Sequence, residues 1–422
     1  MTQRNIVLVT YDSLRADHCG HLGYERNTTP NLDEMAAKGT SFPEAISPAS
    51  RTNPSMAGTF TGEPMVARDQ VADPSHSRRH LARYGTLAEE LSELGYTTGA
   101  FNPNAYASRH YGFDRGFDHF EDFLFSTDQY QEIFQKHLSD STVYTLLRNF
   151  RNYLRREEAF KTWDRYIDQI EEWVMSQSEP FFLWVFSLDT HFPHLSPRKH
   201  RKWSTLFKQY YYNWRCNQLI DDLDPDLSER EVQRIIDIYD DSIRFGDVLL
   251  AELRDRLAEF DPVYIVFGDH GEAFGERDIY GHFYPSLYEE NIHVPLVVSE
   301  SVKCDGDSSQ PISLTQVPNI VKQFTDANTR PQLDTWAIAT DYDGRNDRNL
   351  ITVRTKTAKQ IATWQNGQLT STAAYSVKDI TIEGEPLSDE SELHECLQPV
   401  VERRYNHELE LCSIQSGVEN II

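Results

Sequence analysis

Three short apolar runs, each followed within three residues by an acidic side chain, constrain the fold of this chain more than any other feature of its sequence. The runs lie at residues 6–10, 181–186 and 263–267. Apolar runs of this length, rich in β-branched and aromatic residues, are typical of strands buried on both faces of a parallel sheet. Helical stretches separate the runs, and this alternation predicts an α/β fold with a doubly wound, mostly parallel sheet.

Polar groups stand at the point where each predicted strand ends. Asp12 follows the first run, Asp189 and His191 follow the second, and Asp269 with His270 follows the third. In open α/β sheets, binding and catalytic groups collect at the carboxyl ends of the strands. We therefore expect these side chains to lie at one edge of the sheet.

Further elements are predicted around these runs. Residues 86–94 and 229–257 have helical spacing, and residues 96–101 and 294–298 are strand candidates. Residues 125–178 combine helical periodicity with many aromatic, Arg and Glu residues, which predicts a helical insertion or lid.

The pattern changes after about residue 330. Residues 350–354 and 360–364 predict strands, and Asn-Gly at 366–367 is a hairpin turn signal. A helical pattern follows at 389–404. This region therefore predicts a small antiparallel sheet plus a helix.

These changes define the predicted domain organisation. Residues 1–330 form a catalytic domain that contains the helical insertion at about 125–178. Residues 331–422 form a small C-terminal α+β subdomain packed on the catalytic domain.

The charge balance limits the partners of this chain. It has 41 basic and 66 acidic residues, which gives a formal net charge of -25. Nucleic acids and anionic membranes attract basic surfaces, so we expect no nucleic acid as its main partner. An anionic substrate would need a local cation in the site.

The cysteines and the N-terminus bear on the cell compartment. The five cysteines are widely spread and contain no Cys-x-x-Cys pair, which indicates reduced thiols rather than a disulfide framework or a zinc site. The N-terminal sequence shows no apolar segment long enough for a signal peptide or a membrane span. We therefore predict a cytoplasmic protein with no membrane span.

The strand-end side chains favour a metal site. Asp12 offers carboxylate oxygens, and Asp269 with His270 offers an oxygen and a nitrogen to a divalent cation. Each has a simpler interpretation, Asp12 as a helix N-cap and the Asp-His pair as a hydrogen-bonded polar turn. At matching strand ends the three together favour one divalent metal ion, for which calcium, manganese, zinc and magnesium are all candidates.

Two groups of short motifs occur in order along the chain. The first group reads TYDSLRADH, GY, TPNLD and GTSF at residues 10–18, 23–24, 29–33 and 39–42. The second group reads GDHGE, YGH and VPL at residues 268–272, 280–282 and 294–296. Over most of residues 4–300 this pattern resembles the sulfatase family of the alkaline phosphatase superfamily. The resemblance implies an alkaline-phosphatase-like sheet flanked by helices, and metal-dependent cleavage of sulfate or phosphate esters.

The segment at the family's nucleophile position departs from the hydrolytic sulfatases. Those enzymes carry a Cys-x-Pro-x-Arg pattern whose first residue, Cys or Ser, is oxidised to formylglycine. Counting back from Thr61 and Gly62, the corresponding segment is 52–56, so Thr52 takes the nucleophile position and Met56 replaces the arginine. A threonine cannot become formylglycine by that route, but its alkoxide bound to a cation can attack phosphorus.

Thr52 resembles the nucleophile of phosphoethanolamine transferases and lipoteichoic acid synthases, which share the superfamily. The resemblance implies a one-metal site made by Asp12, Thr52, Asp269 and His270. A simpler interpretation is that Thr52 caps a helix beginning near Pro54. Both roles are compatible, because a helix N-terminus also attracts an anion.

Histidines are the candidate proton-transfer groups. His191 lies in a segment that resembles the family's His-x-Pro segment, where it would bind the ester oxygens or assist the leaving group, whereas His194 is expected at the surface. His282 could protonate the leaving oxygen, because histidine titrates near neutral pH. Its alternative is a structural histidine bonded to the backbone.

Two arginines are candidate cations. Arg51 lies beside Thr52, and its guanidinium matches the oxygens of a tetrahedral anion. Arg15 is expected to pair with Asp17 instead. At 101–106 the sequence FNPNAY stands where hydrolytic sulfatases carry Gly-Lys-Trp-His, and one of its asparagines could contact substrate.

The sequence therefore predicts a metal-dependent hydrolase of sulfate or phosphate esters, acting on a small-molecule or glycan ester with Thr52 as the candidate nucleophile. One alternative is a phosphoryl-group transferase with a sugar or lipid acceptor. Another is a non-catalytic binder of anionic sugars, which the missing family arginine and lysine favour and the four retained metal-site groups oppose. Sequence leaves the oligomeric state open.

Overall fold

A computed structural model describes most of the chain. The described residues are 3–65, 74–123, 161–219, 227–282, 284–304, 309–325, 330–331, 336–365, 368–377, 383–386, 402 and 406. The predicted insertion at 125–178 lies outside them as far as residue 160, and the predicted helix at 389–404 lies outside them apart from residue 402.

Strands and helices alternate along the described part of the catalytic region. The strands are β1 (Ile6–Tyr11), β2 (Thr40–Ser41), β3 (Ala45–Ile46), β4 (Thr97–Phe101), β5 (His119–Glu121), β6 (Phe181–Ser187), β7 (Val263–Gly268), β8 (Ala273–Phe274), β9 (Tyr280–Gly281), β10 (Leu296–Val298), β11 (Ile312–Ser313), β12 (Trp336–Asp343), β13 (Arg348–Thr355), β14 (Ala358–Gln365), β15 (Gln368–Val377) and β16 (Glu383–Pro386). The α-helices are α1 (Pro30–Lys38), α2 (Thr52–Thr61), α3 (Pro74–Tyr84), α4 (Leu87–Glu93), α5 (Ile167–Ser176), α6 (Leu206–Leu219), α7 (Glu229–Arg256), α8 (Glu289–Ile292) and α9 (Val317–Lys322). None of the helices within the described ranges has the length and apolar character needed to cross a membrane.

β1 lies inside a seven-stranded sheet with the order β2-β10-β7-β1-β6-β4-β5. It pairs in parallel with β6 and β7, and β4 continues the parallel arrangement to β5. β10 runs antiparallel to both β7 and β2. Every residue of β1, β6 and β7 is buried, as the apolar runs predict. The predicted doubly wound, mostly parallel sheet is confirmed.

The register of the central strands brings their carboxyl ends level. Tyr11 lies opposite Ser187 of β6 and Gly268 of β7. The next residues leave the sheet side by side, with the Asp12 amide donating to Ser187 O at 3.0 Å and the Asp269 amide donating to Tyr11 O at 3.1 Å. Two carboxylates that are distant in sequence therefore start from adjacent positions.

Two apolar cores cover the two faces of this sheet. Ile6 and Leu8 of β1 belong to the core that includes α2, α4 and α9. Val7 and Val9 belong to the core that includes α1, α5 and α7. Since both faces are buried, the strand is apolar throughout instead of alternating between apolar and polar residues.

The C-terminal strands β12 to β16 form a separate five-stranded antiparallel sheet in chain order. β14 and β15 pair around residues 366–367, with Gln365 opposite Gln368, as expected of a hairpin. The small antiparallel sheet predicted from the sequence is confirmed. The domain boundary at residue 330 stays a prediction.

The C-terminal sheet packs on the catalytic region through apolar and charged contacts. The apolar cluster consists of Ile46, Leu287, Ile292, Ala337 and Ala339. Beside it, Glu289 pairs with Arg354 at 3.3 Å and with Lys359 at 2.8 Å, and all three side chains are fully buried. The Thr340 amide also donates to Pro48 O at 2.9 Å, which fixes β12 against the segment before α2.

Candidate metal centre and active site

The strand-end residues converge on one buried point. Asp12, Asp269 and His270 each offer a ligand atom, and these atoms lie within 4.8 Å of one another. His270 Nε2 is 3.6 Å from Asp12 Oδ1, 3.5 Å from Asp269 Oδ2 and 3.2 Å from Thr52 Oγ1. The four side chains predicted to share a metal ion are therefore brought together.

The hydrogen bonds of His270 fix its tautomer. Its Nδ1 lies 2.8 Å from Gly271 O, and because a carbonyl oxygen only accepts, Nδ1 carries the proton. Burial lowers the pKa of His270 to about 4, so the ring is neutral near pH 7. Nε2 therefore directs a lone pair toward Asp12 and Asp269, the orientation required of a metal ligand.

Asp269 has one satisfied and one unsatisfied oxygen. Its Oδ1 accepts the amides of Ser13 at 3.0 Å and His270 at 2.8 Å. Its Oδ2 is buried and has no hydrogen-bond partner. Burial, and then the charge of Asp12, raises the pKa of Asp269. A buried carboxylate oxygen beside a second carboxylate and an imidazole lone pair is costly unless a cation neutralises it, so this donor set fits a divalent metal ion.

The backbone around these ligands is tightly constrained. Ser13 adopts a left-handed conformation with φ 58, which costs free energy in a residue other than glycine and here directs its amide to Asp269. A Cβ at Gly268 would lie 2.5 Å from Leu14 O, so only glycine fits at the end of β7. Such conformations are typical of functional sites. The sequence analysis did not identify Ser13.

Asn104 contacts Asp12, one of the candidate metal ligands. Its Nδ2 donates to Asp12 Oδ2 at 2.5 Å, while Ser13 Oγ donates to Asp12 Oδ1 at 2.9 Å. Asn104 Oδ1 accepts the Tyr106 amide at 2.7 Å, which fixes the orientation of the amide group. One of the asparagines at 101–106 therefore acts on a candidate ligand, whereas the sequence suggested a contact with substrate.

Thr52 is the first residue of α2, and the sequence-based alternative that it caps a helix near Pro54 is wrong. Arg51 occupies the N-cap position, and its side chain accepts no capping hydrogen bond. Because His270 Nε2 carries no proton, the Thr52 hydroxyl is the donor in their 3.2 Å contact. Ser55 Oγ donates to Asp269 O at 2.6 Å, which ties the start of α2 to the end of β7.

His282 is held by a carboxylate, a partner that neither sequence-based interpretation of this histidine named. Its Nδ1 lies 3.1 Å and 3.2 Å from the two oxygens of Glu272. Its ring centroid is 4.5 Å from that of His270 and 5.1 Å from that of His191. Burial lowers the pKa of His282 to about 3. The sequence showed Glu272 only as part of a motif and gave it no role.

The histidines after β6 differ in environment. His191 is partly exposed and its Nδ1 bonds to Phe192 O, which leaves Nε2 on the side away from that bond. His194 is 2% exposed, and burial lowers its pKa to about 4. The expectation that His194 lies at the surface is therefore wrong. The Asn213 side chain accepts the His194 amide at 2.7 Å, which anchors this loop on α6.

The two candidate arginines are both ion-paired. Arg15 pairs with Asp17 at 2.6 Å, as predicted, and also with Glu276 at 2.8 Å. Arg51 Nη2 contacts the buried carboxylate of Asp341, a residue of β12. No motif in the sequence pointed to Asp341, because it lies far along the chain from the other site residues.

Comparison of the sequence with known proteins identifies relatives of this chain. A family model described as Sulfatase matches residues 4–323. Human arylsulfatase K is 23% identical over 350 residues, which cover 74% of this chain and 61% of that protein. Bovine (Bos taurus) arylsulfatase A is 34% identical over 122 residues, 26% of this chain and 24% of that protein. These alignments thus span between a quarter and three-fifths of the relatives' length.

Solved structures share the fold. The phosphonate monoester hydrolase of Agrobacterium radiobacter superposes with a TM-score of 0.64 at 16% identity, covering 98% of this chain and 96% of that one. BT4656, solved in complex with its substrate D-glucosamine-2-N,6-O-disulfate, superposes with a TM-score of 0.64 at 13% identity, covering 96% and 99%. At these identities the superpositions establish the common architecture over nearly the whole chain.

Proposed function

Because the chain belongs to the sulfatase family, we propose that it is a metal-dependent hydrolase of sulfate or phosphate esters that uses Thr52 as its nucleophile. The observation that carries the proposal is the convergence of the Thr52 hydroxyl with Asp12, Asp269 and the lone pair of His270. Its substrate would be a small-molecule or glycan ester whose anionic group reaches this buried point.

The four converging side chains would hold the metal ion. When bound, a divalent cation supplies positive charge that lowers the pKa of a hydroxyl ligand and withdraws charge from ester oxygens. Calcium, manganese, zinc and magnesium are all compatible with two carboxylates, an imidazole and a hydroxyl.

The position of Thr52 supports a role in attack on a bound anion. It stands at the N-terminus of α2, where the free backbone amides and the helix dipole favour a negative group. Its Oγ1 would form a bond to the sulfur or phosphorus atom while the bond to the alcohol oxygen breaks. Water would then displace Thr52 and restore the hydroxyl.

Proton transfer to the leaving oxygen falls to His282, with His191 as the second candidate. Glu272 holds Nδ1 of His282 and so leaves Nε2 as the atom that accepts and returns a proton. A carboxylate behind an imidazole also stabilises the imidazolium that forms during transfer.

Transfer to a second alcohol is the second candidate reaction, and the identity of residue 52 is the observation that favours it. A threonine forms a simple phosphate or sulfate ester, which requires an incoming hydroxyl for its release. If that hydroxyl belongs to a sugar or lipid, the outcome is transfer of the group instead of hydrolysis.

The test compares wild type with Thr52→Ala after chelation and reloading with each candidate metal. The panel contains nitrophenyl sulfate, nitrophenyl phosphate, a nitrophenyl phosphodiester and a phosphonate monoester, with and without added glycerol as acceptor. We expect metal-dependent turnover by wild type and a loss of ~10³-fold or more in Thr52→Ala. Intact-mass measurement of quenched wild type should show a covalent adduct at Thr52.

Thr61→Ala is the matched control. Thr61 lies at the other end of α2, and its hydroxyl donates to Ala57 O at 2.8 Å within the helix. This variant should turn over substrate like wild type. Undiminished turnover by Thr52→Ala would remove Thr52 from the mechanism.

A further inference from the structure

A carboxylate from the C-terminal sheet reaches the start of α2. Asp341 lies on β12, outside residues 4–323 that match the family. Its side chain is fully buried and accepts hydrogen bonds from Ser50 Oγ and Arg51 Nη2. The Tyr342 amide donates to Asp341 Oδ1 at 2.7 Å and fixes the carboxylate.

Arg51 is held by two consecutive residues of the same strand. Besides the contact with Asp341, its Nη2 donates to Tyr342 O at 2.9 Å. The side chain retains 17% exposure, and its Nε is buried without a hydrogen-bond partner. The guanidinium therefore keeps unused donors.

The interior of α2 offers no replacement for this cation. Met56, which stands where hydrolytic sulfatases carry an arginine, is fully buried in the apolar core. A cation that contacts the ester oxygens must therefore approach from outside the helix. Arg51 directly precedes Thr52, so its guanidinium can approach from the N-cap position.

A free arginine at a helix N-cap would not stay at the site by itself. Arginine loses rotamer entropy when its long side chain is fixed. The helix dipole also disfavours a cation at the N-terminus of α2. A buried carboxylate with good geometry is the element that offsets both effects.

On the basis of the proposed function, we propose that Asp341 is a positioning residue that holds the Arg51 guanidinium beside Thr52 for contact with the anionic group of the substrate. The C-terminal sheet then completes the anion-binding half of the site. The competing explanation is that the ion pair only attaches the sheet to the catalytic region.

The experiment measures anion binding directly, so that it does not depend on turnover. Inorganic sulfate and inorganic phosphate are titrated calorimetrically into metal-loaded wild type, Asp341→Asn, Arg51→Ala and the double variant. We expect each single substitution to lower the affinity about tenfold or more for whichever of the two anions wild type binds more tightly. The double variant should bind no more weakly than Arg51→Ala, because Asp341 acts through Arg51.

Asp343→Asn is the matched control. Asp343 lies on the same strand and pairs with Arg348 at 2.8 Å at the hairpin, so its substitution removes the same charge from β12. Anion affinity should be unchanged in this variant. In active preparations, Asp341→Asn should raise KM more than it lowers kcat, whereas a variant that merely loosens the sheet should lose thermal stability and keep its KM.

Guanidinium rescue provides a second route if Asp341→Asn does not fold. Millimolar guanidinium added to Arg51→Ala should restore anion affinity, because Asp341 remains to hold the free ion. Three results would each overturn the proposal. One is the absence of guanidinium rescue, and another is an anion affinity that is unchanged or higher in Asp341→Asn. The third is failure of wild type to bind either anion. If the binding pattern holds but no ester is cleaved, the proposed hydrolysis fails and the positioning role stands.

Discussion

Each of three polar side chains, those of His270, His282 and Asn104, is oriented by a hydrogen bond at the atom that faces away from the centre of the site. His270 bonds Gly271 O through Nδ1, and His282 bonds Glu272 through Nδ1, so both rings present Nε2 to the site. Asn104 is oriented in the same way through Oδ1. Turning any of these groups would break a buried hydrogen bond. We expect these outer contacts to set ligand geometry.

Asn104→Ala tests this orientation at a single ligand. The substitution removes the amide that donates to Asp12 Oδ2, so Asp12 should sample more conformations. We expect affinity for the metal ion to fall roughly 10- to 100-fold, measured by competition with a chromogenic chelator.

Asn319→Ala serves as the control, because the Asn319 amide bonds Gln316 within its own helical segment. Its metal affinity should equal that of wild type. Equal affinity in Asn104→Ala would exclude a role for Asn104 in orienting Asp12.

The convergence of Asp12, Asp269 and His270 could be predicted, because each directly follows a buried strand of a parallel sheet. Asp341 could not, because its contact with Arg51 depends on how a second sheet packs, which no local pattern records. Nor could the Glu272 contact with His282, which depends on the turn between β7 and β9.

At the scale of elements, α7 fixes three different segments through three carboxylates. Asp240 accepts bonds from the loop at 18–26, Asp241 accepts the three amides at 202–204, and Asp247 accepts the first amides of α1. All three side chains are buried. One helix thus anchors loops on the side of the sheet where the site lies.

Asp241→Ala should free the segment at 202–204. Three backbone amides lose their acceptor, and each such bond contributes about 1 kcal/mol. We expect hydrogen exchange in a peptide covering this segment to accelerate about tenfold, measured by mass spectrometry.

Asp255→Ala, an exposed substitution on the same helix, should leave exchange at 202–204 unchanged. If Asp241→Ala exchanges at the wild-type rate as well, the three hydrogen bonds do not stabilise this segment.

Most strands and long helices were predictable because their apolar periodicity is strong. The start of α2 was not, because Arg51 gives no capping signal at its N-cap and Pro54 suggested a later start. The antiparallel direction of β10 could not be predicted either, since a short buried strand has the same composition whether it pairs in parallel or antiparallel.

At the scale of the molecule, a buried cluster of charges joins α8 of the catalytic region to the C-terminal sheet. Burial by itself would raise the pKa of Glu289, but Lys359 and Arg354 outweigh it and lower that pKa to about 2. A carboxyl whose folded-state pKa lies below its ordinary value of 4.5 stabilises the fold above that pH. This stabilisation is lost as the pH falls from 4.5 toward 2.

Glu289→Gln should therefore destabilise the protein in a pH-dependent way. At pH 7 it removes the carboxylate partner of Lys359 and one of the two carboxylate partners of Arg354, which also pairs with Glu44, and we expect the free energy of unfolding to fall by about 3 kcal/mol. At pH 3 the difference in unfolding free energy between the variant and wild type should shrink, because the stabilisation that Glu289 contributes to wild type is then partly lost. Urea titrations at both pH values provide the measurement.

Glu34→Gln is the control, since Glu34 pairs with Lys38 at the surface. Its unfolding free energy should stay close to that of wild type, because solvent screens a surface ion pair. A Glu289→Gln deficit of equal size at pH 7 and pH 3 would contradict the assigned titration.

The position of β1 also orders events on the ribosome. Its two neighbours, β6 and β7, begin at residues 181 and 263, so β1 emerges without either partner until much more of the polypeptide has been translated. Asp12 cannot meet His270 before the second of these neighbours leaves the exit tunnel. Assembly of the candidate metal centre is therefore a late step of biogenesis, and the apolar β1 segment of the nascent chain must be kept from aggregating throughout that delay.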